Sequence, residues 1–229
     1  MSIIETYAEI EKVVPLTNTL LQFFLKPERY IDYQAGQYLQ IITNQENYNY
    51  SIANAPLGTH RYELHIRHNR EHIKNQMMLA TMEQSNRILI QLPLGNSSIY
   101  RLNPTKPIIF IAVGTGFAPI KAIIEQLFAD KDTRRKILLW SVNTQQDLYM
   151  NEKASQWQKD CTSFSYVPYL FKSSENSLIS VINKQCANLD EYQIVMNGPF
   201  DLMYIIRDAL LAEGLARENL FSDAFSFES

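Results

Sequence analysis

Two glycines separated by a single residue lie where an apolar run gives way to a helical pattern. The segment reads Val113-Gly114-Thr115-Gly116-Phe117-Ala118-Pro119. Glycine lets the chain turn sharply and lets main-chain amides approach a ligand with no Cβ in between. The amides at a helix N-terminus attract anions, and a proline such as Pro119 suits the first helical turn. The spacing therefore favours a phosphate-binding turn over an ordinary tight turn between a strand and a helix.

A second glycine turn follows a later apolar run, at Met196-Asn197-Gly198-Pro199-Phe200. Pro199 is placed to open a helix, and Asp201 lies in the first turn of that helix. The carboxyl ends of parallel strands line one crevice of an open α/β sheet, so both turns could face the same nucleotide. Taken alone, the second segment favours a purely structural turn.

The first hundred residues have the pattern of short strands. Tyr62, Leu64 and Ile66 alternate with polar neighbours, which predicts a half-buried strand, and residues 87–92 repeat the alternation. The other predicted elements are strands over residues 3–14, 17–25 and 38–43, with a break at Pro15, and a short helix over residues 73–82. Many short strands separated by turn signals indicate a closed barrel, here an antiparallel six-stranded β-barrel.

After Pro104 and Pro107 the pattern changes to strands that alternate with helices. Continuous apolar runs over residues 108–113 and 136–142 are typical of strands buried on both faces. Further strands are predicted over residues 164–170 and 193–197. Two helices are predicted from apolar residues spaced three and four positions apart. The first carries Ile120, Ile123, Ile124, Leu127 and Phe128, and the second, which ends at Gly214, carries Leu202, Ile205, Ile206, Ala209 and Leu210. The alternation predicts an α/β doubly wound parallel sheet.

Composition sets limits on the class of protein. Of 229 residues, 46% are hydrophobic and 20% charged, which is enough for a packed core. A net charge of −3 gives no reason to expect nucleic acid or an anionic membrane as a partner. No apolar run approaches the ~20 residues of a membrane span, and no signal-peptide pattern is present, so a cytoplasmic protein is expected. Two domains are predicted, over residues 1–103 and 104–229.

Four motifs in order resemble the ferredoxin–NADP reductase superfamily, and the full-length pattern is most similar to its bacterial NAD(P)H–flavin reductase branch. Gly36-Gln37-Tyr38 resembles the G-Q-[FY] strand of that family, and Tyr48-Asn49-Tyr50-Ser51 stands in the place of its R-x-[YF]-S flavin motif. The turn at residues 114–119 resembles the family's pyridine-nucleotide turn. The ending Leu220-Phe221-Ser222-Asp223-Ala224-Phe225 is similar to the family's L-F-G-D-A-F.

The resemblance implies an oxidoreductase that transfers a hydride from NADH or NADPH to a flavin, FAD or FMN. Ser51 and Asp223 would be the catalytic residues, with the Ser51 hydroxyl near flavin N5 and Asp223 near the meeting point of flavin and nicotinamide. Gly114, Thr115 and Gly116 would bind the phosphates of the nucleotide. The other cofactor-binding residues that the resemblance implies are Tyr48, Tyr50, Ser51, Ile52, His65, Arg67, Pro119, Asn197, Gly198, Pro199 and Phe225. In such an enzyme the cofactor carries the chemistry and the protein orients the two rings.

Two positions depart from the family's pattern. Tyr48 replaces an arginine that neutralises the flavin pyrophosphate, and the loss of that charge-assisted contact predicts a weaker grip on FAD. The flavin is then expected to be an exchangeable substrate, unless Arg67 or Arg70 supplies the missing charge. Asn197 replaces the cysteine that often precedes the Gly-Pro turn, so no thiol is expected beside the nicotinamide.

The loop after the second parallel strand bears on the choice between NADH and NADPH. Relatives that use NADPH present basic residues there to the 2′-phosphate. Here the loop reads Ser141-Val142-Asn143-Thr144-Gln145-Gln146-Asp147, with no lysine or arginine and one acid. Such a loop suits a free ribose 2′-hydroxyl and favours NADH.

Three interpretations of the whole chain stay open. The first is an enzyme that reduces diffusible flavin, and the second is an FAD enzyme that passes electrons to a protein partner such as an oxygenase. The third is a nucleotide-binding module without turnover, which the departures at Tyr48 and Asn197 keep open. Four histidines fall within residues 60–72, but no carboxylate pattern completes a metal site, and none is predicted.

Overall fold

The computed structural model describes residues 2–44, 46–68, 80, 85–96, 98–171, 177–186 and 188–227. Within it the chain forms two compact units. The first comprises Met1–Tyr100 and Lys121–Asp130, and the second comprises Arg101–Ile120 and Lys131–Ser229. The helix predicted over residues 73–82, except for Ala80, lies outside the described residues, as does Arg70. The predicted domain boundary between residues 103 and 104 stays a prediction.

The first unit is built on one antiparallel sheet. Its six strands are β1 (Ile4–Thr17), β2 (Leu20–Pro27), β3 (Tyr38–Ile42), β4 (Asn47–Ser51), β5 (Tyr62–Arg67) and β6 (Arg87–Leu94), in the order β4-β3-β6-β1-β2-β5. An antiparallel bridge between Ile52 and Leu64 joins the end of β4 to β5, so the two outer strands meet and the sheet closes. The predicted antiparallel six-stranded barrel is confirmed.

The predicted break at Pro15 is wrong, because β1 runs through this residue to Thr17. Proline cannot donate a hydrogen bond to a neighbouring strand, so it is tolerated where one side of a strand has no partner. β1 pairs with β6 only from Ile4 to Glu9, whereas Pro15 lies beyond that ladder and is paired with Leu21 of β2 alone. The strand therefore has an open side where the amide is missing.

The prediction that β5 is half-buried is also wrong. Its apolar residues Tyr62, Leu64 and Ile66 are fully buried, as expected, but Glu63 and His65 on the other face are only 6% and 5% exposed. Residues 121–130 belong to this unit, and from there Lys121 donates a hydrogen bond to Glu63 on that face. Alternation in a sequence shows which residues share a face, and it does not reveal that a charged face is covered as well.

The second unit is built on a parallel sheet with helices. Its strands are β7 (Ile108–Val113), β8 (Lys136–Val142), β9 (Phe164–Leu170), β10 (Gln193–Asn197) and β11 (Leu220–Phe221), in the order β11-β10-β7-β8-β9. The helices are α1 (Phe117–Ala129), α2 (Asn151–Asp160), α3 (Leu178–Gln185) and α4 (Phe200–Ala212). Residues 117–120 of α1 belong to this unit, and the rest of α1 belongs to the first. The predicted doubly wound parallel sheet is confirmed, with its order reversing between β7 and β10.

Helix α4 ends as predicted, but its buried face is not the predicted one. The Gly214 amide donates to the Leu211 carbonyl and the Leu215 amide to that of Leu210, and the φ of Gly214 is +94°, which together make a glycine-terminated helix end. The expectation that Ile205 faces the core is wrong, because this side chain is 64% exposed. Met203 takes that place in the core and is fully buried. Neither α2 nor α3 was predicted from the sequence.

Candidate functional site

The first glycine turn joins β7 directly to α1. Residues Gly114–Gly116 form one turn of 3₁₀ helix, and Gly114 has a φ of +57°, a conformation that favours glycine. The indole Nε1 of Trp140 on β8 donates to the Gly114 carbonyl at 3.0 Å. The same indole stacks on the Phe117 ring, with centroids 3.8 Å apart. The turn is therefore held from the neighbouring strand on one side.

The second glycine turn packs against the first. A Cβ added to Gly116 would lie 2.0 Å from the backbone oxygen of Asn197 and 2.7 Å from the amide nitrogen of Gly198. A Cβ on Gly198 would in turn lie 2.7 Å from the Cβ of Val113. The structure thus brings the two predicted turns together at the carboxyl ends of β7 and β10, where the strand order reverses. This is the switch point at which α/β sheets bind nucleotides, next to a helix N-terminus that favours phosphate.

Gly116 must be glycine for a reason that the sequence does not reveal. The spacing suggested that backbone must approach a phosphate here, whereas the atoms nearest to an added Cβ belong to Asn197 and Gly198 of the adjoining turn. Close packing of two main chains requires the glycine before any ligand is considered. Thr115 and Asn197 are half-buried at this edge, and Pro119 is buried in the first turn of α1.

The carboxylate of Asp147 forms hydrogen bonds within the loop that follows β8. Asp147 accepts hydrogen bonds from the backbone amide of Thr144 at 3.0 Å and from its hydroxyl at 2.8 Å, as in a helix capping box. Residues 143–146 remain exposed. The loop therefore presents uncharged polar side chains to a ligand, and its one carboxylate is already engaged.

The predicted flavin motif lies on β4, whose ladder partner among the described strands is β3. Tyr48 is opposite Ile41 in this ladder, and Ser51 is opposite Tyr38. Because side chains alternate along a strand, Tyr48 and Tyr50 share one face and Ser51 lies on the other. A ligand that contacts both Tyr50 and Ser51 must therefore lie along the edge of this strand.

Both tyrosines of the motif pack against the barrel core and are half-buried. Burial raises the pKa of Tyr50 to about 12, with a smaller contribution from neighbouring Tyr48. The phenol of Tyr50 is therefore neutral at physiological pH and offers a hydroxyl and a ring face. Ile52, the next residue on this face, is completely buried.

The two further residues predicted on β5 differ in their surroundings. The His65 side chain is fully buried, and its Nε2 lies 2.8 Å from Oε1 of Glu63. Because its ring is buried and bonded to Glu63, His65 can contact a ligand mainly through its backbone atoms. Arg67, at the end of the strand, is exposed.

The C-terminal motif forms a compact turn in the second unit. Asp223 is 9% exposed and begins a 3₁₀ helix that runs to Phe227. The guanidinium carbons of Arg207 and Arg217 lie 5.5 Å and 4.8 Å from the centroid of the Phe225 ring. Tyr204 also donates to the Ala224 carbonyl at 2.9 Å. Phe225 thus serves first as an anchor for the segment that carries Asp223.

A buried group of charged residues in the first unit was missed from the sequence. Lys121 of α1 is 3% exposed and donates to Glu63 at 3.0 Å and to Glu125 at 3.1 Å. Burial opposes ionisation of Glu63, but hydrogen bonding to His65 and the charge of Lys121 outweigh it and hold its pKa at about 2. The available signal was a lysine and a glutamate four residues apart in a helix whose other residues, apart from Gln126, are apolar or proline.

Two features are absent from the residues that the structure describes. There, no group of three or more His, Cys, Asp or Glu side chains is arranged to hold a metal ion. Nor is any helix in the described part of the chain both long and apolar enough to cross a membrane.

Comparison with known proteins agrees with this geometry. Residues 110–208 match the family model described as oxidoreductase NAD-binding domain. The chain is 28% identical to CDP-6-deoxy-L-threo-D-glycero-4-hexulose-3-dehydrase reductase of Yersinia pestis over 90% of its own length, and it spans 64% of that relative. It is 25% identical to a probable flavin reductase of Vibrio harveyi, over 95% of this chain and 98% of that one.

Solved structures share the fold over nearly the whole chain. A ferredoxin NADP+ reductase from Neisseria gonorrhoeae, with bound FAD and NADP, superposes with a TM-score of 0.79 at 17% identity, over 96% of this chain and 98% of that one. Both halves of that fold, the antiparallel six-stranded sheet and the parallel five-stranded sheet, are present here. Over nearly its whole length the chain is therefore similar in sequence to flavin reductases and in fold to a ferredoxin NADP+ reductase, and residues 110–208 match an oxidoreductase NAD-binding domain.

Proposed function

We propose that this protein is an NAD(P)H:flavin oxidoreductase, with a flavin-binding domain over residues 1–103 and a nucleotide-binding domain over residues 104–229. The observation that carries the proposal is the packing of Gly116 against Asn197 at the switch point of the parallel sheet. The similarity to a flavin reductase over 98% of that relative's length supports the same activity. When bound, the flavin supplies a ring that accepts a hydride from the nicotinamide.

In this proposal the side chains bind and orient the reactants. The turn at Gly114–Gly116 and the N-terminus of α1 hold the diphosphate of the nicotinamide nucleotide. Tyr50 offers an aromatic face and a neutral hydroxyl to the flavin, and Ser51 offers a hydroxyl toward flavin N5. The family resemblance assigns Asp223 to the reaction site, and Phe225 fixes the segment that carries it. Hydride transfer requires the donor carbon and acceptor nitrogen to come within about 3–3.5 Å, so orientation is the main contribution of the protein.

The loop after β8 supports NADH as the preferred nucleotide. NADPH adds a phosphate with two negative charges, and a site for it needs cations. Residues 143–146 offer none, and the carboxylate of Asp147 would repel that phosphate although it is engaged with Thr144. A ribose 2′-hydroxyl can instead hydrogen-bond to exposed amide and hydroxyl side chains such as Gln146.

The position of Tyr48 supports flavin as an exchangeable substrate. This side chain packs against the barrel core and carries no charge to offset a diphosphate. A flavin without that contact is held through its ring and ribityl chain. FAD, FMN and riboflavin should then bind with similar affinity.

Transfer of electrons to a protein partner is the second candidate function. The Yersinia relative is named as the reductase of a dehydrase, and it supports this alternative. The partner would be an oxygenase or another electron-accepting protein. The chain spans 64% of the length of that relative.

The experiment that tests the proposal combines isolation with steady-state kinetics. Protein that purifies colourless and oxidises NADH only when FMN, FAD or riboflavin is added would support the flavin reductase. Protein that purifies yellow and reduces an added acceptor without free flavin would support the partner-linked enzyme. Folded protein that binds both ligands and oxidises no nucleotide would refute both.

A further inference from the structure

Lys121 occupies an unusual position for a lysine, since its side chain is 3% exposed. Its ammonium donates to three oxygens, the Ala53 carbonyl at 2.9 Å, the Glu63 carboxylate at 3.0 Å and the Glu125 carboxylate at 3.1 Å. An ammonium has three protons, so its hydrogen-bonding capacity is completely used. All four residues belong to the first unit.

The acceptors of Lys121 are themselves held in place. Oε1 of Glu63 accepts a hydrogen bond from Gln22 of β2 at 2.7 Å and lies 2.8 Å from the ring of His65. Glu125 is one helical turn beyond Lys121 on the same helix and is 18% exposed. The chain at Ala53, strand β5 and helix α1 thus each supply one acceptor to the ammonium, and β2 supports Glu63. Removal of one partner would leave buried charges uncompensated, which is costly.

The Ala53 carbonyl, the remaining acceptor of Lys121, connects this group of charges to the flavin motif. Ala53 is two residues after Ser51, and the chain between them leaves β4. The Ile52 amide donates to the Gln37 carbonyl at 3.0 Å and the Ala53 amide to the Glu63 carbonyl at 2.7 Å. The carbonyl of buried Ala53 also needs a donor, because an unpaired buried carbonyl is destabilising. Lys121 is that donor.

We propose that Lys121 is a positioning residue for the flavin-binding segment. By holding the Ala53 carbonyl, it sets the path of the chain at Ile52 and thereby the place of the Ser51 hydroxyl. The inference rests on the proposed function, since it assigns Lys121 a role in flavin binding at that same site. The alternative is that Lys121 only balances the charge of Glu63 and Glu125.

The chain offers a matched control in Lys136 of the second unit. This lysine is also buried, and it donates to two carbonyls, of Asp132 and Arg134, and to the Asp132 carboxylate. Lys136→Met should therefore lower the free energy of unfolding much as Lys121→Met does. It should leave the affinity for flavin unchanged, because no residue of the flavin motif touches it.

The test measures riboflavin and FMN binding by fluorescence titration, together with amide hydrogen exchange at Ile52 and Ala53. Lys121→Met should raise the flavin Kd by at least about tenfold, or about 1.4 kcal/mol. It should also speed exchange at both amides more than Lys136→Met does. A flavin Kd within about twofold of wild type, in a folded Lys121→Met protein, would overturn the positioning role.

A double variant separates positioning from charge balance and also covers the case in which Lys121→Met does not fold. Lys121→Met with Glu63→Gln removes one charge of each sign, yet the Ala53 carbonyl still lacks its donor. Its flavin Kd should stay raised, whereas recovery of wild-type affinity would show that Lys121 serves only charge balance. Wild-type protein that binds no flavin and oxidises no NADH would refute the proposed function itself, whatever the variants do.

Discussion

A Cβ atom on Gly116 would lie 2.0 Å from the backbone oxygen of Asn197, closer than any real carbon of this kind approaches an oxygen. The two residues belong to the turns that follow β7 and β10, the central strands at which the sheet order reverses. Any side chain at Gly116 must therefore push the two turns apart. The nucleotide site that we propose depends on this contact.

Replacement of Gly116 by alanine tests that dependence. Gly116→Ala should raise the KM for NADH by at least about tenfold, about 1.4 kcal/mol, because the displaced turn no longer presents its amides to the diphosphate. Flavin affinity should stay close to wild type, since the flavin motif is in the other unit. Equal losses for the two ligands would indicate general misfolding and contradict the assignment.

Gly214 provides the control for this variant. It lies in the same unit with a φ of +94°, and a Cβ there would meet no atom within 4 Å. Gly214→Ala should cost about 1 kcal/mol of stability through backbone strain and leave the KM for NADH unchanged.

The loop over residues 143–147 predicts the nucleotide preference. The kcat/KM for NADH should equal or exceed that for NADPH, because the loop has no cation for a 2′-phosphate. Gln146→Arg should improve the kcat/KM for NADPH relative to NADH, whereas the matched variant Gln146→Glu should not. A wild-type preference for NADPH above about tenfold would refute this assignment.

The missing arginine at Tyr48 predicts weak discrimination among flavins. Wild-type protein should bind FAD scarcely more tightly than riboflavin. Tyr48→Arg should strengthen FAD binding alone, since a charge-assisted hydrogen bond contributes about 1.5–3 kcal/mol. Tyr48→Gln, which removes the same ring without adding charge, is the control. Fluorescence titration that finds wild-type FAD binding far tighter than riboflavin binding would show that another residue supplies the contact.

The buried pair of Glu63 and His65 predicts loss of stability in acid. Burial lowers the pKa of His65 below its ordinary 6.5, although the hydrogen bond to Glu63 opposes this. The unfolded chain therefore binds a proton on His65 before the folded chain does, so stability falls as pH drops below 6.5. Glu63, with a folded pKa of about 2 against 4.5 unfolded, adds a further loss as pH falls through that range.

Urea unfolding at several pH values checks this prediction. His65→Gln should flatten the fall in unfolding free energy between about pH 6.5 and pH 5, while Lys121 and Glu125 remain beside the substituted side chain. A wild-type unfolding free energy that is constant over this interval would contradict the account of His65.

The fold was largely predictable because its signals are local. A run such as residues 108–113 is apolar throughout, as a strand with two covered faces must be, and the glycines at 114 and 116 mark the following turn. Family motifs supplied the order of the elements. Helices α2 and α3 carried weaker signals, since α2 buries only Ala154 completely and α3 is eight residues long.

The buried charges could not be predicted, because they depend on contacts between residues far apart in sequence. Glu63 looked like a solvent-facing residue of an alternating strand, and Lys121 like a polar interruption of an apolar helix. These two residues are 58 positions apart in the sequence and come into contact only when the chain folds. The roles of Ser51 and Asp223 likewise remain predictions from motif resemblance, each now with a defined position in its own unit.

The most direct test of the central claim is anaerobic mixing of this protein with NADH and FMN, with the yellow absorbance of the flavin followed over time. The account predicts rapid bleaching that requires protein, nucleotide and flavin together, and that slows when the transferred hydrogen at nicotinamide C4 is deuterium. Folded protein that binds NADH and FMN but leaves the bleaching rate equal to that of the two compounds alone would contradict it.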